Sequence, residues 1–281
     1  MKVLVTGLQG FTGRYLKLEL ERYDHIVVGL SSNLTKFSDL SLEIRRVQPE
    51  AVVHLAGIAF VGHGNPRDFY NVNLIGTHNL LTAISEQTPK IQSILLASSA
   101  NIYGSNSEGT IDENTLPAPT NDYAVSKLSM ELMSNLWADR LPISIVRPFN
   151  YTGVGQNVDF LIPKIISHFK MRKNVIELGN IDVWREFGDV RSVASIYRKL
   201  LEIKPVGKTL NVCTGQAYSL NEILTLCKSL TGHDIEIEVN PKFVRENEVR
   251  VLTGDNSLLK RTIGKWKIYT LEETLRWMLN A

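Results

Sequence analysis

Tyr123 and Lys127 are the pair of side chains in this sequence best suited to proton transfer. They lie in residues 123–139, which predict a helix, and a spacing of four places both side chains on one helix face, one turn apart. An ammonium group beside a phenol favours the phenolate and lowers the tyrosine pKa. A phenol tuned in this way can exchange a proton with an alcohol oxygen while a hydride moves. Because the spacing also arises by chance on surface helices, its meaning depends on the surrounding motifs.

Two serines lie at the end of a predicted strand upstream of this helix. Residues 91–97 form an apolar run, and Ser98 and Ser99 follow it directly. Hydroxyl groups at the carboxyl end of a strand face the ligand crevice of a doubly wound sheet. Residues 108–121 are polar and contain two prolines. They therefore predict a loop over the same crevice.

The chain begins with a glycine-rich turn between a predicted strand at residues 2–6 and a predicted helix. Glycines permit the tight turn and let the backbone approach a pyrophosphate, which the helix N-terminus attracts with its N–H groups and positive end. The order strand, glycine turn, helix is typical of dinucleotide binding. The sequence predicts that a coenzyme diphosphate contacts Gly7, Gly10, Phe11, Thr12 and Gly13.

The residues after the second predicted strand, at 25–30, bear on coenzyme choice. A site that prefers NAD(H) usually has Asp or Glu there to bind the ribose hydroxyls. This chain has Ser31, Ser32 and Asn33 instead, with Lys36 close by. Because the carboxylate that would repel a 2′-phosphate is missing from these positions, the sequence favours NADP(H). No arginine is present to grip the phosphate, so the preference is modest and NAD(H) can also be used.

The third strand is predicted at residues 51–57, and the small residues at its end would let a coenzyme pass closely. His54 within this run is interpreted as a packed core histidine rather than a catalyst. The helix predicted at 71–86 carries Asn73 and Thr77, which could meet backbone groups near the site. The coenzyme-lining residues assigned to the strand end are Leu55, Ala56 and Gly57.

Composition excludes several classes of function. The chain has 281 residues, 43% of them hydrophobic, and a net charge of +2, so neither nucleic acid nor an anionic membrane is expected as a partner. Cys213 and Cys227 are far apart and lack metal-ligand spacing, so no metal is expected and free thiols in a reducing, cytoplasmic setting are favoured. No signal peptide is expected, because Met1 leads almost directly into a predicted strand, and no apolar run reaches the length of a membrane span.

Strands and helices alternate regularly up to the strand predicted at 142–147. This pattern predicts an α/β fold with a doubly wound, mostly parallel Rossmann sheet. The alternation then loosens into a smaller α/β C-terminal substrate lobe. The predicted helices there are 160–171, 190–203, 220–231 and 271–279, with strands at 174–178 and 209–213 and a loop at 184–187. The dinucleotide-binding domain is assigned to 1–150 plus about 186–215, and the substrate lobe to 151–185 and 216–281.

These motifs together resemble those of the extended short-chain dehydrogenases/reductases, the NAD-dependent epimerase/dehydratase family. They follow the order seen in that family: Gly7-x-x-Gly10-x-x-Gly13, His54-Leu-Ala-Gly57, Asn73-x-x-Gly76-Thr77, Ser98-Ser99 before Tyr103-Gly104, Tyr123-x-x-x-Lys127, Arg147-Pro-Phe-Asn150 and Arg185-Glu-Phe-x-Asp189. The resemblance implies that Tyr123 is the acid/base, that Lys127 lowers its pKa and holds the nicotinamide ribose, and that Ser99 steadies the substrate oxygen. It also implies coenzyme contacts at Asn73, Pro148 and Phe149.

Within the family, the late motifs resemble those of GDP-4-keto-6-deoxy-D-mannose reductases, which form GDP-D-rhamnose. Carried over by motif, Asn150 would meet the sugar, Arg185 and Arg245 the diphosphate or ribose, and Glu248 the ribose hydroxyls. Two departures are a tyrosine, in place of a histidine, after Asn150 and a glutamate, in place of a proline, after Arg245. They bear on the sugar and base more than on the chemistry.

The resemblance implies an NAD(P)H-dependent reduction of a 4-keto nucleotide sugar, and three alternatives were weighed. A 4,6-dehydratase would need Asp-Glu where this chain has Ala100 and Asn101, so dehydration is disfavoured. A 4-epimerase with a tightly kept NAD uses the same Tyr and Lys and stays open. A catalytically silent dinucleotide-binding regulator would typically have lost the tyrosine or lysine. A homodimer is implied, through helices 71–86 and 123–139, with Leu128, Leu132 and Leu136 as candidate contacts.

Overall fold

The computed structural model describes residues 1–59, 65–104, 109–241 and 251–281. Its strands, numbered along the chain, are β1 (Lys2–Thr6), β2 (Ile26–Gly29), β3 (Ala51–His54), β4 (Ser93–Ala97), β5 (Thr110–Ile111), β6 (Ile143–Pro148), β7 (Tyr151–Thr152), β8 (Val175–Leu178), β9 (Trp184–Arg185), β10 (Gly188–Asp189), β11 (Thr209–Val212), β12 (Tyr218–Ser219), β13 (Glu236–Val239) and β14 (Val251–Gly254). The α-helices are α1 (Phe11–Arg22), α2 (Phe37–Val47), α3 (Pro66–Phe69), α4 (Gly76–Gln87), α5 (Asp122–Ser134), α6 (Leu161–Lys170), α7 (Val190–Ile203), α8 (Leu220–Thr231), α9 (Ser257–Ile263) and α10 (Leu271–Asn280).

The central sheet has six strands in the order β2-β1-β3-β4-β6-β11, and every pair in it is parallel. The strands are near-continuous apolar runs such as Val3, Leu4 and Val5, all fully buried, as expected for a sheet covered on both faces. The chain runs from β1 outward to β2 and then returns to β3 on the other side of β1. This reversal creates a crevice outside the carboxyl ends of β1 and β3, where ligands bind in doubly wound sheets.

Helices cover both faces of this sheet. Helices α1, α7 and α9 pack on one face, and α2, α4 and α5 pack on the other. The order of strands and the two helical layers make this a Rossmann-like α/β fold, as the sequence predicted. Helix α9 belongs to the sheet's own core through Leu259 and Ile263, although residues 216–281 were assigned to the smaller lobe. The division of the chain into two domains stays a prediction.

A second core lies among α6, α8 and α10. The parallel pair β8–β13 covers it, and the alternation along β8 buries Ile176 and Leu178. Helices α8 and α10 each begin with a reciprocal capping box, formed by Ser219 with Glu222 and by Thr270 with Glu273. Within the described residues, no helix is long and apolar enough to cross a membrane.

The observed secondary structure differs from the sequence-based prediction at several short elements. Residues 184–187 were predicted as a loop, but β9 joins a four-stranded sheet of order β12-β9-β14-β5. Strand β5 likewise interrupts the loop predicted at 108–121. Each of these strands is held by partners distant in sequence and is too short to show an alternating pattern. Strands β13 and β14 and helix α9 were not predicted at all.

The helix predicted at 71–86 is also more complex than expected. Residues Tyr70–Ile75 form a π-helical turn, and the α-helix proper begins at Gly76. The helix predicted at 123–139 is α5 followed by a short 3₁₀ turn, Asn135–Trp137. A π-helical turn is rare and often occurs at functional sites, and this one carries Asn73.

Candidate active site

Tyr123 lies in the first turn of α5, and Lys127 follows one turn later, as their spacing predicted. Asn121 caps the helix by accepting a hydrogen bond from the backbone N of Ala124 at 2.9 Å. Tyr123 and Lys127 are each only 6% exposed. The Lys127 Nζ donates to the carbonyl oxygen of Ala97 at 2.8 Å. The ammonium group therefore lies at the carboxyl end of β4, in the middle of the sheet.

The pKa values of the pair are set mainly by burial. Burial raises the pKa of Tyr123 to about 12, the nearby Ser99 hydroxyl opposes this shift, and the Tyr151 phenol adds to it. Burial lowers the pKa of Lys127 to about 8, and the Glu131 carboxylate opposes that shift. The net pKa shift of Tyr123 is therefore the reverse of the one expected from a neighbouring ammonium. The phenol is neutral at neutral pH, and a neutral phenol is the proton donor that a ketone reduction requires.

Ser99 and Ser98 differ in their surroundings although both end the same strand. The Ser99 hydroxyl lies close enough to the Tyr123 phenol to lower its pKa. Its Oγ also accepts from the backbone N and from Nδ2 of Asn101, both at 3.2 Å. Ser98 is buried, and its Oγ has no hydrogen-bond partner within the described residues. Ser99 is thus the serine close enough to the candidate acid to affect its pKa.

Asn73 ties the chain after β3 to the start of α5. Its Oδ1 accepts from the backbone N of Ile58 at 2.9 Å, and its Nδ2 donates to Ile58 O at 3.2 Å and to Ser126 Oγ at 3.0 Å. A Cβ added to Gly57 would lie 2.8 Å from Asn73 Oδ1 and 3.3 Å from Lys127 Nζ. Glycine is needed at position 57 because the backbone passes so close to these two polar groups.

His54 is a core residue, as the sequence indicated. Its Nδ1 shares a hydrogen bond with Thr6 Oγ1 at 2.7 Å, and its Nε2 one with Thr77 Oγ1 at 2.8 Å. Burial lowers the pKa of His54 to about 3, and the Lys127 charge contributes to the shift. The ring is therefore neutral, and it fixes β1 against β3 and α4. Thr6 Oγ1 also accepts from the backbone N of Ala56 at 3.0 Å, which shapes the strand end.

The glycine turn after β1 has the conformation that the pattern predicted. Gly7 has a φ of +70°, a region that side chains disfavour, and a Cβ there would lie 2.9 Å from the backbone N of Ala56. A Cβ on Gly13 would lie 2.6 Å from the carbonyl oxygen of Leu8. These close approaches bring the turn, the end of β3 and the start of α1 together at the reversal of the sheet.

Helix α1 begins directly after this turn. Gly10 is its N-cap and supplies no side-chain acceptor to the helix. The N–H groups of the first turn, including those of Phe11 and Thr12, can therefore bind an anion. Thr12 Oγ1 and the Tyr151 OH share a 2.7 Å hydrogen bond, and the Phe11 and Tyr151 rings stack at 6.1 Å. Tyr151, which replaces the histidine of the reductase pattern, thus fastens α1 to β7. The cradle fits the diphosphate of a dinucleotide.

The end of β2 is different from what the sequence led us to expect. Both serines there are bound to the carboxylate of Glu43, a residue of α2 that the sequence analysis did not single out. The hydroxyls assigned to a 2′-phosphate are occupied, and a carboxylate is present after all. The sequence carried a signal for it, because Glu43 falls on the apolar face of α2 with Leu40 and Ile44. A charge at such a position is rare unless it is paired.

The predicted substrate residues are only partly described. Asn150 follows β6 and is exposed at the mouth of the crevice. Arg185 lies in β9, and its Nη1 donates to the carbonyl oxygen of Trp184 at 2.9 Å. Pro148 is the last residue of β6 and directly precedes Phe149 and Asn150. Arg245 and Glu248 lie outside the described residues, so their assignment stays a prediction.

Glu186 is a second carboxylate that the sequence analysis missed. It is fully buried and accepts hydrogen bonds from the backbone N of Thr214, from Thr214 Oγ1 at 2.8 Å, from Gly215 N at 3.3 Å and from Gly254 N at 2.7 Å. Burial raises its pKa, although these bonds oppose the shift. Glu186 fixes the chain beside Arg185 to the ends of β11 and β14. It lies within the motif Arg185-Glu-Phe-x-Asp189, but the motif by itself does not show that this glutamate is buried.

The structure thus brings Ser99, Tyr123, Lys127 and Asn73 together at the carboxyl ends of β3 and β4, next to the glycine turn. Phe149, 4% exposed, donates its backbone N to Val212 O at 3.0 Å and fixes the opposite wall. In the described part of the chain, no group of three His, Cys, Asp or Glu side chains could hold a metal ion. The arrangement can bind a dinucleotide and deliver a proton beside it.

A doubly wound sheet with a glycine turn and a Tyr-Lys-Ser group at its crevice defines a dinucleotide-binding oxidoreductase of the short-chain type. Residues 3–213 match the NAD dependent epimerase/dehydratase family, and the chain belongs to this family. It is 37% identical over 269 residues to the GDP-6-deoxy-D-talose 4-dehydrogenase of Aggregatibacter actinomycetemcomitans, covering 94% of this chain and 92% of the relative. It is 33% identical over 303 residues to the GDP-6-deoxy-D-mannose reductase of Pseudomonas aeruginosa, covering 99% and 96%.

Among solved structures, the fold is similar to RMD from Pseudomonas aeruginosa complexed with NADPH. The TM-score is 0.91 at 31% sequence identity, and the match covers 100% of this chain and 98% of that one. These similarities confirm the resemblance found in the sequence and the Rossmann-like fold. They support an enzyme that acts on nucleotide sugars with a nicotinamide dinucleotide as coenzyme.

Proposed function

We propose that this chain reduces the 4-keto group of a nucleotide-activated 6-deoxy sugar, and that GDP-4-keto-6-deoxy-D-mannose is its substrate and GDP-D-rhamnose its product. The observation that carries the proposal is the buried Tyr123 phenol, close to the Ser99 hydroxyl and one turn from Lys127, beside the glycine cradle. The relatives named above act on GDP-linked 6-deoxy sugars, which supports the substrate class.

In the proposed reaction, the bound reduced coenzyme supplies the hydride. Tyr123 donates its proton to the oxygen at C4 as negative charge develops there. Its raised pKa keeps the proton on the phenol until the oxygen becomes more basic than a ketone. Ser99 stabilises the same oxygen with a hydrogen bond. The bonds that Ser99 already accepts from Asn101 fix the direction of its hydroxyl.

Lys127 has two tasks in this proposal. Its ammonium stabilises the phenolate that remains after proton transfer, and it donates to a hydroxyl of the nicotinamide ribose. The 2.8 Å bond to Ala97 O holds the amine in place for both tasks. Asn73 positions the chain at Ile58, and with it Gly57, against which the coenzyme lies. On the other side, Pro148 and Phe149 form the wall, and Leu55 and Ala56 follow β3 along the coenzyme path.

A second product is supported by a specific observation. The relative from Aggregatibacter actinomycetemcomitans is named for GDP-6-deoxy-D-talose, the C4 epimer of the rhamnose product, and it is 37% identical to this chain. Both products arise from one 4-keto sugar and differ only in the face that receives hydride. Tyr151, in place of the histidine of the reductase pattern, is close enough to Tyr123 to raise the pKa of that phenol. A change at this position can therefore affect which face of the 4-keto sugar is presented.

One experiment tests the reaction and separates these readings. The purified protein is incubated with GDP-4-keto-6-deoxy-D-mannose and reduced coenzyme, while loss of the reduced-coenzyme absorbance is followed and the product's C4 configuration is assigned by NMR. We expect stoichiometric oxidation of the coenzyme and GDP-D-rhamnose as product. GDP-6-deoxy-D-talose would favour the second product. Conversion of GDP- or UDP-hexoses at C4 without coenzyme consumption would identify an epimerase and contradict the proposal.

We also place the enzyme in the cytoplasm as a homodimer. The two cysteines, Cys213 and Cys227, are buried and unpaired, which agrees with a reducing compartment. NAD(P)H and nucleotide sugars would be its small-molecule partners. The sequence favoured NADP(H) over NAD(H) because the serine hydroxyls at the end of β2 were expected to bind a 2′-phosphate. In the structure both hydroxyls donate to Glu43, which removes the basis for that preference.

A further inference from the structure

Glu43 is a buried carboxylate whose hydrogen bonds all come from one short loop. Its side chain is on α2, and the residue is 6% exposed. Oε1 accepts from the backbone N of Ser31 at 3.0 Å and from Ser31 Oγ at 2.7 Å. Oε2 accepts from the backbone N of Ser32 at 2.7 Å and from Ser32 Oγ. A carboxylate offers about four acceptor positions, and here four donors occupy them.

The loop that binds Glu43 lies beside the glycine turn. The backbone N of Leu30 still pairs with Val5 O at 3.1 Å, so the loop leaves the sheet next to β1. A Cβ on Gly29 would lie 2.8 Å from Leu8 Cδ2, a side chain of the turn itself. In a doubly wound sheet the adenosine ribose of a dinucleotide reaches this point, the end of the second strand. The serine loop therefore lies where that ribose would bind, and the Glu43 carboxylate lies directly against this loop.

The pattern of donors suits a hydroxyl better than a phosphate. A serine hydroxyl has one proton to donate and two lone pairs that accept. Ser31 and Ser32 both donate to Glu43, so towards the ribose they can only accept. A 2′-hydroxyl donates a proton and fits such acceptors, whereas a 2′-phosphate is an acceptor with about two negative charges at neutral pH. The phosphate would meet lone pairs and an anion.

Glu43 is negatively charged in this setting. Burial favours the neutral acid, but the hydrogen bonds from Ser32 and Ser31 outweigh it and hold the pKa of the carboxyl below its ordinary value. The nearest basic residue in the loop sequence is Lys36, which is exposed at the N-cap of α2 and so acts through solvent. The Asn33 Oδ1 is used by Thr35, whose backbone N and Oγ1 both donate to it at 2.9 Å.

We propose that Glu43 is the residue that makes this chain select NAD(H) over NADP(H), by placing a carboxylate with its serine donors where a 2′-phosphate would have to bind. The inference rests on the coenzyme placement in the proposed function and replaces the preference for NADP(H) drawn from the sequence. Glu43 acts from a different element than the acidic residue at the strand end, which this chain lacks, but it delivers the same charge to the same place.

The test measures coenzyme binding directly, without the sugar substrate. Calorimetry of the full-length protein gives the dissociation constants of NAD⁺ and NADP⁺ for the natural chain, Glu43→Gln and Asp39→Asn. Asp39 is the matched control because it is an exposed acid one turn earlier on α2. We expect the natural chain to bind NAD⁺ more tightly. Glu43→Gln should shift the affinity ratio towards NADP⁺ on the order of tenfold, as loss of a close like charge implies, while Asp39→Asn leaves it within about twofold.

Each outcome bears on the proposal. Tighter binding of NADP⁺ by the natural chain overturns it, and this measurement needs no variant. An affinity ratio that Glu43→Gln leaves unchanged, in protein with a normal melting curve, overturns it as well. In both cases measurable binding of the two coenzymes leaves the proposed reductase function intact. A protein that binds neither coenzyme contradicts both proposals, so the two failures are distinguishable.

Discussion

The two ends of the coenzyme cleft are built in different ways. At the nicotinamide end, the reacting groups come from one turn of α5 and the end of β4, so their spacing along the chain already brings them together. At the adenosine end, the group that we propose to be decisive is Glu43, which reaches the serines of the β2 loop from a separate helix. Side chains that are brought together by their spacing within one helix can be recognised from the sequence. A charge delivered from another element becomes visible only when the elements are packed.

The largest expected effect is at the nicotinamide end. Tyr123→Phe removes the transferable proton and keeps the ring, which packs 6.0 Å from that of Phe69. We expect turnover to fall on the order of 10²–10⁴-fold, the usual size of general acid catalysis, with coenzyme affinity near normal. Steady-state kinetics and calorimetry check this. Tyr23→Phe, which removes the hydroxyl of an exposed tyrosine, is the control. Retention of more than about a hundredth of the activity would contradict the role of Tyr123.

Lys127→Met should separate function from stability. Loss of the ammonium is expected to abolish most activity and to weaken coenzyme binding, because the lysine is assigned both tasks. Burial lowers the folded-state pKa of Lys127 from 10.5 to about 8, so the folded chain binds this proton less tightly than the unfolded chain does. Below about pH 8 the buried charge therefore destabilises the fold, by up to about 3 kcal/mol before loss of the bond to Ala97 is counted.

The methionine variant should then melt at least as high as the natural protein at neutral pH. Its advantage should shrink as the pH rises from about 8 towards 10.5, because in that range the folded lysine has lost its proton while the unfolded lysine keeps it, so raising the pH stabilises the natural protein. Thermal melting of both proteins across that pH range is the measurement. An advantage that stays constant with pH would show that packing, rather than charge, sets the difference. Unchanged coenzyme affinity would count against the ribose contact.

The sequence allowed much of the sheet to be predicted, and also that Ser99, Tyr123 and Lys127 lie at one crevice, while their catalytic roles stay predictions. The apolar runs of β1, β3 and β4 are fully buried, and the glycine turn needs residues without a Cβ, so both leave strong local patterns. The pairing of β9 with β14 and β12 leaves none, because two-residue strands have no period. The pKa of Tyr123 was mistaken in direction because burial, which depends on the whole fold, outweighs the neighbouring charge.

Glu186, like Glu43, forms hydrogen bonds to elements other than its own. It therefore tests whether a contact between separate elements shapes the substrate side of the site. Glu186→Gln can no longer accept from all of its backbone and hydroxyl donors, and a buried donor left unpaired costs about 1–3 kcal/mol. We expect a lower melting temperature and a KM for the nucleotide sugar raised severalfold, with little change in coenzyme affinity, because Arg185 is adjacent. Glu222→Gln weakens the cap of α8 at an exposed site and should lower stability without changing KM. An equal rise in KM for that control would mean that Glu186 supports the fold alone.

The smallest effect on turnover is expected from substitutions on the exposed face of the helical segment that carries Tyr123 and Lys127. Of the three leucines predicted as dimer contacts, Leu128 packs into the core, while Leu132 is 62% exposed and Leu136 is 75% exposed. We predict that these two leucines lie at a homodimer interface, since exposed apolar patches often mark such contacts.

Light scattering at micromolar concentration should give a dimer for the natural protein and a monomer for Leu132→Glu with Leu136→Glu. Leu18→Glu, at a 65% exposed site on α1, should remain dimeric. Because the catalytic side chains face the sheet, the monomer should keep most of its turnover. A monomeric natural protein would contradict the interface, while a dimer that loses activity on separation would show that α5 needs its partner to hold Tyr123 and Lys127 in place.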